Sequence, residues 1–429
     1  MKAATAEERD WLPLDNAAKI YPSTASERSP AEFRLAFSLD KPVRLLLLQR
    51  SLERIMPRFP YFQVHLRRGF FWYYLQRSNE IPNVELLHNV PVTTLSVKSR
   101  TAALLRVSAR SHTVAVDFSH ILTDGNGGIR FLLSLAAEYL RQDGTEVEEH
   151  PYILDPDTQP HPEEFEDAHR KNFIKKSLKP EKQAPAYHLP GSPLSTRRYR
   201  ILSGAMPVEK VVGLAKERGV SLTEYLAALY MYCLMQIYRR EVEGGAKRRS
   251  PIIRMEVPVD MRRYYSSRTM RNFSLFLSPE LHTKLGEYSF DEVVHHMHHH
   301  MQLLKNRKQL VRQISRNVGS EMNPFIRFLP LVAKDLILSS VYSRLGEALH
   351  SGVISNLGSL SLPPALERRI ETFHFSLDPN HVMKKACGVH SYKGQLHISF
   401  TSVTESSELE RLFFTHLTRS GVPITLKEH

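Results

Sequence analysis

Residues 113–133 read T-V-A-V-D-F-S-H-I-L-T-D-G-N-G-G-I-R-F-L-L, placing His120 just after a strand-like run and Asp124 and Gly125 directly before a helix-like one. A neutral imidazole at such a junction can accept a proton from a hydroxyl or amine at the bottom of a cleft, which is general-base chemistry. Taken alone, a histidine at a strand end is more often a structural hydrogen-bonding group. Its neighbours favour chemistry. Gly125 is expected to use positive φ in a tight turn, and Asp124 to lock that turn by pairing with a remote arginine. Asp124 also reads as the N-cap of a helix beginning near Gly127, and the two roles are compatible. There is no G-x-S-x-G elbow, and neither Cys233 nor Cys387 lies in a nucleophile motif, which disfavours a covalent Ser-His-Asp hydrolase. His120 must then activate the substrate itself.

The elements that position this turn follow from periodicity. E-F-R-L-A-F-S-L-D at residues 32–40 alternates as a half-buried strand, and a helix over 43–56 ends at Pro57 and Pro60. A hairpin is expected around Gly69, and residues 102–107 pair with 113–118 ahead of a helix reaching about Arg141. Residues 142–196 are rich in proline and charge, with one helical possibility at 163–178, and read as an inter-domain connection. Beyond them a strand over 198–206 precedes helices at 208–218 and 221–238, the latter with Ser221 as N-cap and Glu224 completing a capping box. Strands are predicted at 252–257 and 272–277, helices at 290–311 and 324–349, and a strand over G-V-I-S-N-L-G-S-L. A hairpin around Lys393-Gly394 and a helix over 405–419 close the chain.

At 429 residues the chain favours two domains, and 42% apolar with 24% charged residues are globular values. Two cysteines cannot form a disulfide framework or a four-thiolate zinc site, and a reducing cytoplasm fits best. The first residues do not resemble a secretory signal, and no apolar run approaches membrane-spanning length. The net charge of +13 would attract nucleic acid, anionic membrane or a phosphorylated cofactor. The basic residues are dispersed and carry no nucleic-acid-binding signature, so solvated surface is favoured over nucleic acid. In H-H-M-H-H-H, His295 and His299 stand at chelating spacing, as do His296 and His300, with His298 between them. No further ligand completes a motif, and a solvated helix face is favoured over a metal site. G-N-G-G at 125–128 lacks the lysine and hydroxyl residue of a phosphate loop.

S-H-I-L-T-D-G resembles the H-H-x-x-x-D-G signature of the superfamily that includes chloramphenicol acetyltransferase, the condensation domains of nonribosomal peptide synthetases, plant BAHD acyltransferases and alcohol acyltransferases. W-L-P-L-D-N-A-A-K-I-Y-P at 11–22, V-P-V-D-M-R-R at 257–263 with R-N-F at 271–273, and S-N-L-G at 355–358 resemble the alcohol acetyltransferase-like branch in order and spacing. Ser119 stands where the signature has its first histidine, and the BAHD motif D-F-G-W-G is absent. The resemblance implies an α/β fold with α+β layers, built as two chloramphenicol-acetyltransferase-like subdomains, 1–180 and 181–429, with a channel at their interface. It implies an O-acyltransferase in which His120 is the base and the acceptor attacks the thioester directly. The donor would be acyl-CoA or an acyl-carrier-protein thioester, and the acceptor a small-molecule alcohol or amine, with no bound cofactor and no metal. Asp124 would then be structural, paired with Arg262, for which Arg263 is the competitor. Asn356, Ser355 and the backbone amides of 125–128 are the candidate oxyanion donors, although Asn356 reads equally well as a turn residue. The rival reading is a non-catalytic condensation-like domain that binds a carrier protein or small ligand.

Overall fold

The computed structural model describes residues 10–26, 29–88, 95, 103–175, 183–195, 199–245, 250–345 and 347–429. Two sheets organise them. The first has the strand order Ile370–Leu377, Glu32–Leu39, Thr113–Ser119, Leu105–Arg110, Glu85–Leu86, and helices Leu45–Ile55 and Gly125–Gln142 contribute to its apolar core. Arg34 and Asp117 lie opposite each other on its central strands and form a buried two-pronged ion pair, Nε–Oδ1 at 2.7 Å and Nη2–Oδ2 at 3.0 Å. Such a pair fixes register, because slipping either strand by one residue would leave both charges buried and unpartnered.

The second sheet runs Ser274–Leu277, Ile252–Asp260, Gly352–Ser359, Lys385–Tyr392, Gln395–Ser402, Arg200–Pro207, Thr425–Glu428, with Glu280–His282 also pairing on Ile252–Asp260. Its core is dominated by helix Leu222–Glu243, whose residues 225–231 are all buried. A helix apolar on most of its faces needs walls around it, and Ser221 and Glu224 cap its start reciprocally as the sequence predicts. Lys393 and Gly394 take φ of 47° and 73°, the left-handed pair that a two-residue hairpin requires.

Strand Ile370–Leu377 belongs to the second half of the chain yet pairs along Glu32–Leu39 in the first sheet, and it carries Ile370, Phe373 and Phe375 into the first core. This crossing strand and Thr425–Glu428 are absent from the sequence expectation. The hairpin around Gly69 forms, but in a separate three-stranded sheet with Trp11–Pro13. The helix expected at 290–311 is two helices, Phe290–Leu304 and Arg307–Met322, with Asn306 capping the second. That expected at 324–349 breaks into Pro324–Phe328 and Leu331–Leu345, because Pro330 holds Leu329 in extended backbone, φ −67° and ψ 131°. In the connection, Ile153 and Phe165 join the first core and Tyr187 and Leu189 the second. Its helical content is limited to the turns Pro162–Phe165 and Ala168–Lys171, and 176–182 lie outside the described residues.

Candidate active site

Strand Thr113–Ser119 delivers His120 to the rim of the first sheet. The backbone amide of His120 donates to the carbonyl of Ala31 at 2.9 Å, and the Leu122 amide folds back onto the Ser119 carbonyl. Ser119 is buried, and its hydroxyl accepts from the Ile121 amide at 3.3 Å, so the residue that departs from the signature is used inside the turn. The His120 ring stacks on Tyr21, at 5.5 Å and 25° between planes, and lies tilted against Phe33, at 4.8 Å and 40°.

Asp124 holds the turn from four sides. Its Oδ1 accepts from the amides of Asn126 and Gly127, the N-cap arrangement, while Oδ2 accepts from Arg262 Nη1 at 2.9 Å and from the buried Phe273 amide at 2.8 Å. Both readings of Asp124 therefore hold at once. Arg262 is itself fully engaged, by Asp260 at 3.0 Å and by the carbonyls of Thr269 and Arg271, whereas Arg263 is exposed. Asn126 reaches Asp260 from the other side, and the Thr123 hydroxyl donates to the Met270 carbonyl at 2.7 Å. The first residues of the motif helix are thus fastened to the second half of the chain.

The glycines serve this fastening. Positive φ was the expected use of Gly125, and the structure corrects it, because Gly125 is not among the glycines in left-handed backbone. A Cβ there would instead lie 2.8 Å from Leu357 Cδ2 of strand Gly352–Ser359. At Gly127 a Cβ would meet Thr123 Oγ1 at 2.1 Å and the Met270 carbonyl at 2.5 Å, and at Gly128 it would meet Phe33 at 2.9 Å. G-N-G-G is therefore a close-approach motif between the helix start and both halves of the chain.

Sequence reasoning about single residues missed a second layer. The Asn272 amide donates to the His120 carbonyl at 2.9 Å and to Asp15 Oδ2 at 3.1 Å, and Asp15, fully buried, also faces Arg271 at 3.6 Å. Asp15 and Tyr21 come from W-L-P-L-D-N-A-A-K-I-Y-P, Arg271 and Asn272 from R-N-F, and Leu357 from S-N-L-G, so all three segments singled out by resemblance meet at the turn. The signal was present in those segments, but no spacing rule assigns a partner across 250 residues.

Electrostatics separate the groups. Desolvation lowers the His120 pKa to about 4, against the opposing influence of the Asp124 charge, the Thr123 backbone and Asn272, so the imidazole is neutral near pH 7. Asp124 is held below its ordinary value: burial opposes its ionisation, but Arg262 and the amides of Phe273 and Gly127 outweigh it. Burial and the nearby carboxylates of Glu256, Asp15 and Asp124 push the Tyr21 phenol up.

Asn356 and Ser355 lie on opposite faces of their strand. The Asn356 amide donates to Thr223 Oγ1 at 3.0 Å and its carbonyl accepts from the Gly358 amide at 2.8 Å, the turn-residue arrangement, on the side of the second core. Leu357, in the irregular stretch that follows Asn356, lies against Gly125. In the histidine-rich helix, His296 donates to the Glu280 carbonyl, His300 accepts from the Glu280 amide, and His298 faces Glu224. Among the described residues, no group of three or more His, Cys, Asp or Glu is arranged to hold a metal ion. Among those residues, too, no helix is long and apolar enough to cross a membrane.

No family model matches the chain, and no curated protein matches its sequence. Solved structures do match it. Polyketide synthase associated protein 5 from Mycobacterium tuberculosis aligns over 95% of this chain and 97% of its own, with TM-score 0.58 and 14% identity. The epimerization domain from the third module of tyrocidine synthetase B aligns over 96% of both chains, with TM-score 0.59 and 11% identity. The first condensation domain of the CDA synthetase also covers 96% of both, with TM-score 0.58 and 15% identity. The chain has the mixed helix-and-sheet, two-subdomain fold of condensation domains, the chloramphenicol-acetyltransferase-like architecture, over nearly its whole length.

Proposed function

We propose that the protein is an acyltransferase that moves an acyl group from a coenzyme A or carrier-protein thioester to an alcohol or amine, in the manner of the alcohol acetyltransferase-like branch. The observation that carries this reading is a neutral imidazole, stacked on Tyr21 and against Phe33, on a turn whose carboxylate is fully occupied by Arg262 and three backbone amides. Asp124 has no oxygen left for the substrate, so His120 is the one base on the turn. Its nitrogen takes the acceptor proton as the acceptor oxygen or nitrogen bonds to the thioester carbonyl carbon. The carbon–sulfur bond then breaks, and the proton passes from imidazolium to the departing thiolate. A pKa near 4 makes that second transfer strongly downhill, since a thiol ordinarily titrates at about 8.5. The first transfer is correspondingly uphill and must accompany bond formation.

Ser355, on the strand face opposite Asn356, and the motif-helix amides are the candidate donors to the developing oxyanion. Behind the motif helix, a cavity of about 460 Å³ is lined by Arg130, His161, Arg268 and Met270, and its guanidinium groups suit the phosphates of a pantetheine-bearing donor. Release of free thiol from acyl-CoA of graded chain length, over a panel of alcohols and amines, tests the proposal. Acceptor-dependent turnover in the wild type is expected to fall roughly 10²- to 10⁴-fold in His120→Ala. Equal turnover in the two proteins would remove His120 as base, and saturable thioester binding with no turnover would leave the ligand-binding reading.

A further inference from the structure

Away from the turn, the hairpin tip at 69–72 and the short helix Pro324–Phe328 carry phenylalanines that point into solvent. Phe325 is 89% exposed, Phe70 72% and Phe328 69%. Large apolar groups this exposed, gathered in one place, mark a surface that is covered in use. They are one patch: Phe70 packs on Phe71, Phe71 on Phe328, and the Leu331 amide donates to the Phe70 carbonyl. Helix Leu331–Leu345 extends it through Val332 and Leu336, one helical turn apart and 63% and 73% exposed. The patch is held rigidly from below. Lys334, 2% exposed, donates to the carbonyls of Phe71 and Arg327 and lies 3.7 Å from the Trp72 ring centre.

Adjoining the patch through Trp72 of the hairpin tip and Arg327 of the short helix is a cavity of about 570 Å³, walled also by Trp11, Tyr73, Tyr74 and Met322. Both tryptophans of the chain stand there. Arg170 and Arg327 line the same cavity and make no side-chain hydrogen bond or ion pair among the described residues. The acidic neighbours are already neutralised, Glu321 by Lys19 and Asp335 by Arg68.

We propose that this surface docks the protein onto an anionic bilayer, with a phospholipid phosphate entering the aromatic cavity. The layering matches that of a membrane surface. Projecting phenylalanines suit the acyl region, tryptophan and tyrosine suit the interface one step back, and open guanidinium groups suit the headgroup phosphates. Convex tips project from two separate elements, so a protein partner would need a matched pocket for each, whereas lipid accommodates them without one. The net charge of +13 adds long-range attraction of the right sign. The inference does not depend on acyl transfer.

The test is partitioning of the full chain onto vesicles of phosphatidylcholine with and without phosphatidylglycerol, read by sedimentation and by tryptophan emission. Since Trp11 and Trp72 are the two tryptophans, emission reports on this site alone. Binding to the anionic vesicles is expected, with a blue shift and with quenching by lipids brominated in the chain. Phe325→Ser and Phe328→Ser should each weaken partitioning roughly tenfold, and Arg170→Gln and Arg327→Gln about fivefold each. These positions are exposed, so an unchanged melting midpoint verifies that the variants fold. Absence of vesicle binding, or binding that the phenylalanine variants leave intact, overturns the proposal. So does a wild-type dimer that the Phe325→Ser, Phe328→Ser variant dissolves, since a second copy would then be what covers the patch.

Discussion

Replacing Asp124 and replacing His120 should damage the protein in opposite ways. Asp124→Ala removes the acceptor of two helix-start amides, of the Phe273 amide and of Arg262. Loss of the cap costs about 1 kcal/mol, and an orphaned buried amide about 1–3 kcal/mol. Breaking a buried ion pair costs about 3–5 kcal/mol when the survivor is stranded. Here Arg262 is not stranded, because Asp260 at 3.0 Å and two carbonyls still hold it, so the lower end of that range applies. These contributions overlap, and a total of about 4–6 kcal/mol is expected, a large fraction of a typical domain's stability. His120→Gln removes no ion pair and no cap. Its cost should stay below about 2 kcal/mol while activity falls by about 10² or more. Urea midpoints and soluble yield, measured beside thiol release, separate the two cases. If Asp124→Ala kept the wild-type midpoint while losing all turnover, Asp124 would belong to the chemistry and the scaffold argument would fail. If His120→Gln lost as much stability as Asp124→Ala, the imidazole would be structural.

Gly127→Ala should destabilise by about 1–3 kcal/mol and lower activity, since its Cβ would press on Thr123 and on the Met270 backbone, which cannot retreat cheaply. Gly213→Ala, inside helix Val208–Glu217 with nothing within 4 Å of the added Cβ, should raise the melting midpoint through a gain of up to about 1 kcal/mol. Asn356→Ala should lower the urea midpoint, through lost bonds to Thr223 and Gly358, and leave the turnover of the folded fraction within a few-fold. Ser355→Ala should do the reverse, and swapped outcomes would exchange their roles. The acid limb of kcat/KM should fall near pH 4, not near 6.5, because His120 must be neutral to act. The same shift weakens the fold: the unfolded chain takes up this proton near pH 6.5 and the native chain near 4. Stability should therefore decline by about 3 kcal/mol as pH falls through that window, with no contribution above it. His120→Gln should flatten part of that slope, leaving the shares of the other buried histidines, chiefly His374, lowered to about 4, and His390, lowered to about 3.

Local patterning exposed most elements and the turn itself, because strand alternation, capping boxes and glycine turns are written within a few residues of where they act. The cap at Asp124 was readable on that basis, and its pairing with Arg262 with the help of the resemblance. The crossing strand Ile370–Leu377 was not. E-T-F-H-F-S-L carries no turn signal tying it to Glu32–Leu39, and its partner lies far back in the chain. Gly125 shows a subtler failure. A glycine after a strand end suggests positive φ, but the constraint comes from Leu357, a side chain that only the fold brings near. Asn272 was visible as a motif residue and opaque in role, since a hydrogen bond to a backbone carbonyl leaves no mark in the sequence.

The turn is built so that His120 is placed correctly only when both halves of the chain are assembled. Its imidazole is in contact with Tyr21 and Phe33 from the first half, while its backbone carbonyl, the Thr123 hydroxyl and the Asp124 carboxylate are all held by residues 262–273 of the second. The crossing strand supplies a further restraint, because pulling the halves apart would strip Ile370–Leu377 from the first sheet together with its buried Phe373 and Phe375. In the proposed acyl transfer, a base with a pKa near 4 needs such restraint. It gains little from basicity, so its contribution must come from alignment with the acceptor and from exclusion of water, and alignment degrades over about 1 Å. The buried clamp around Asp124 adds less to stability than its number of contacts suggests. Its value lies in coupling the position of one imidazole to the closure of the whole molecule.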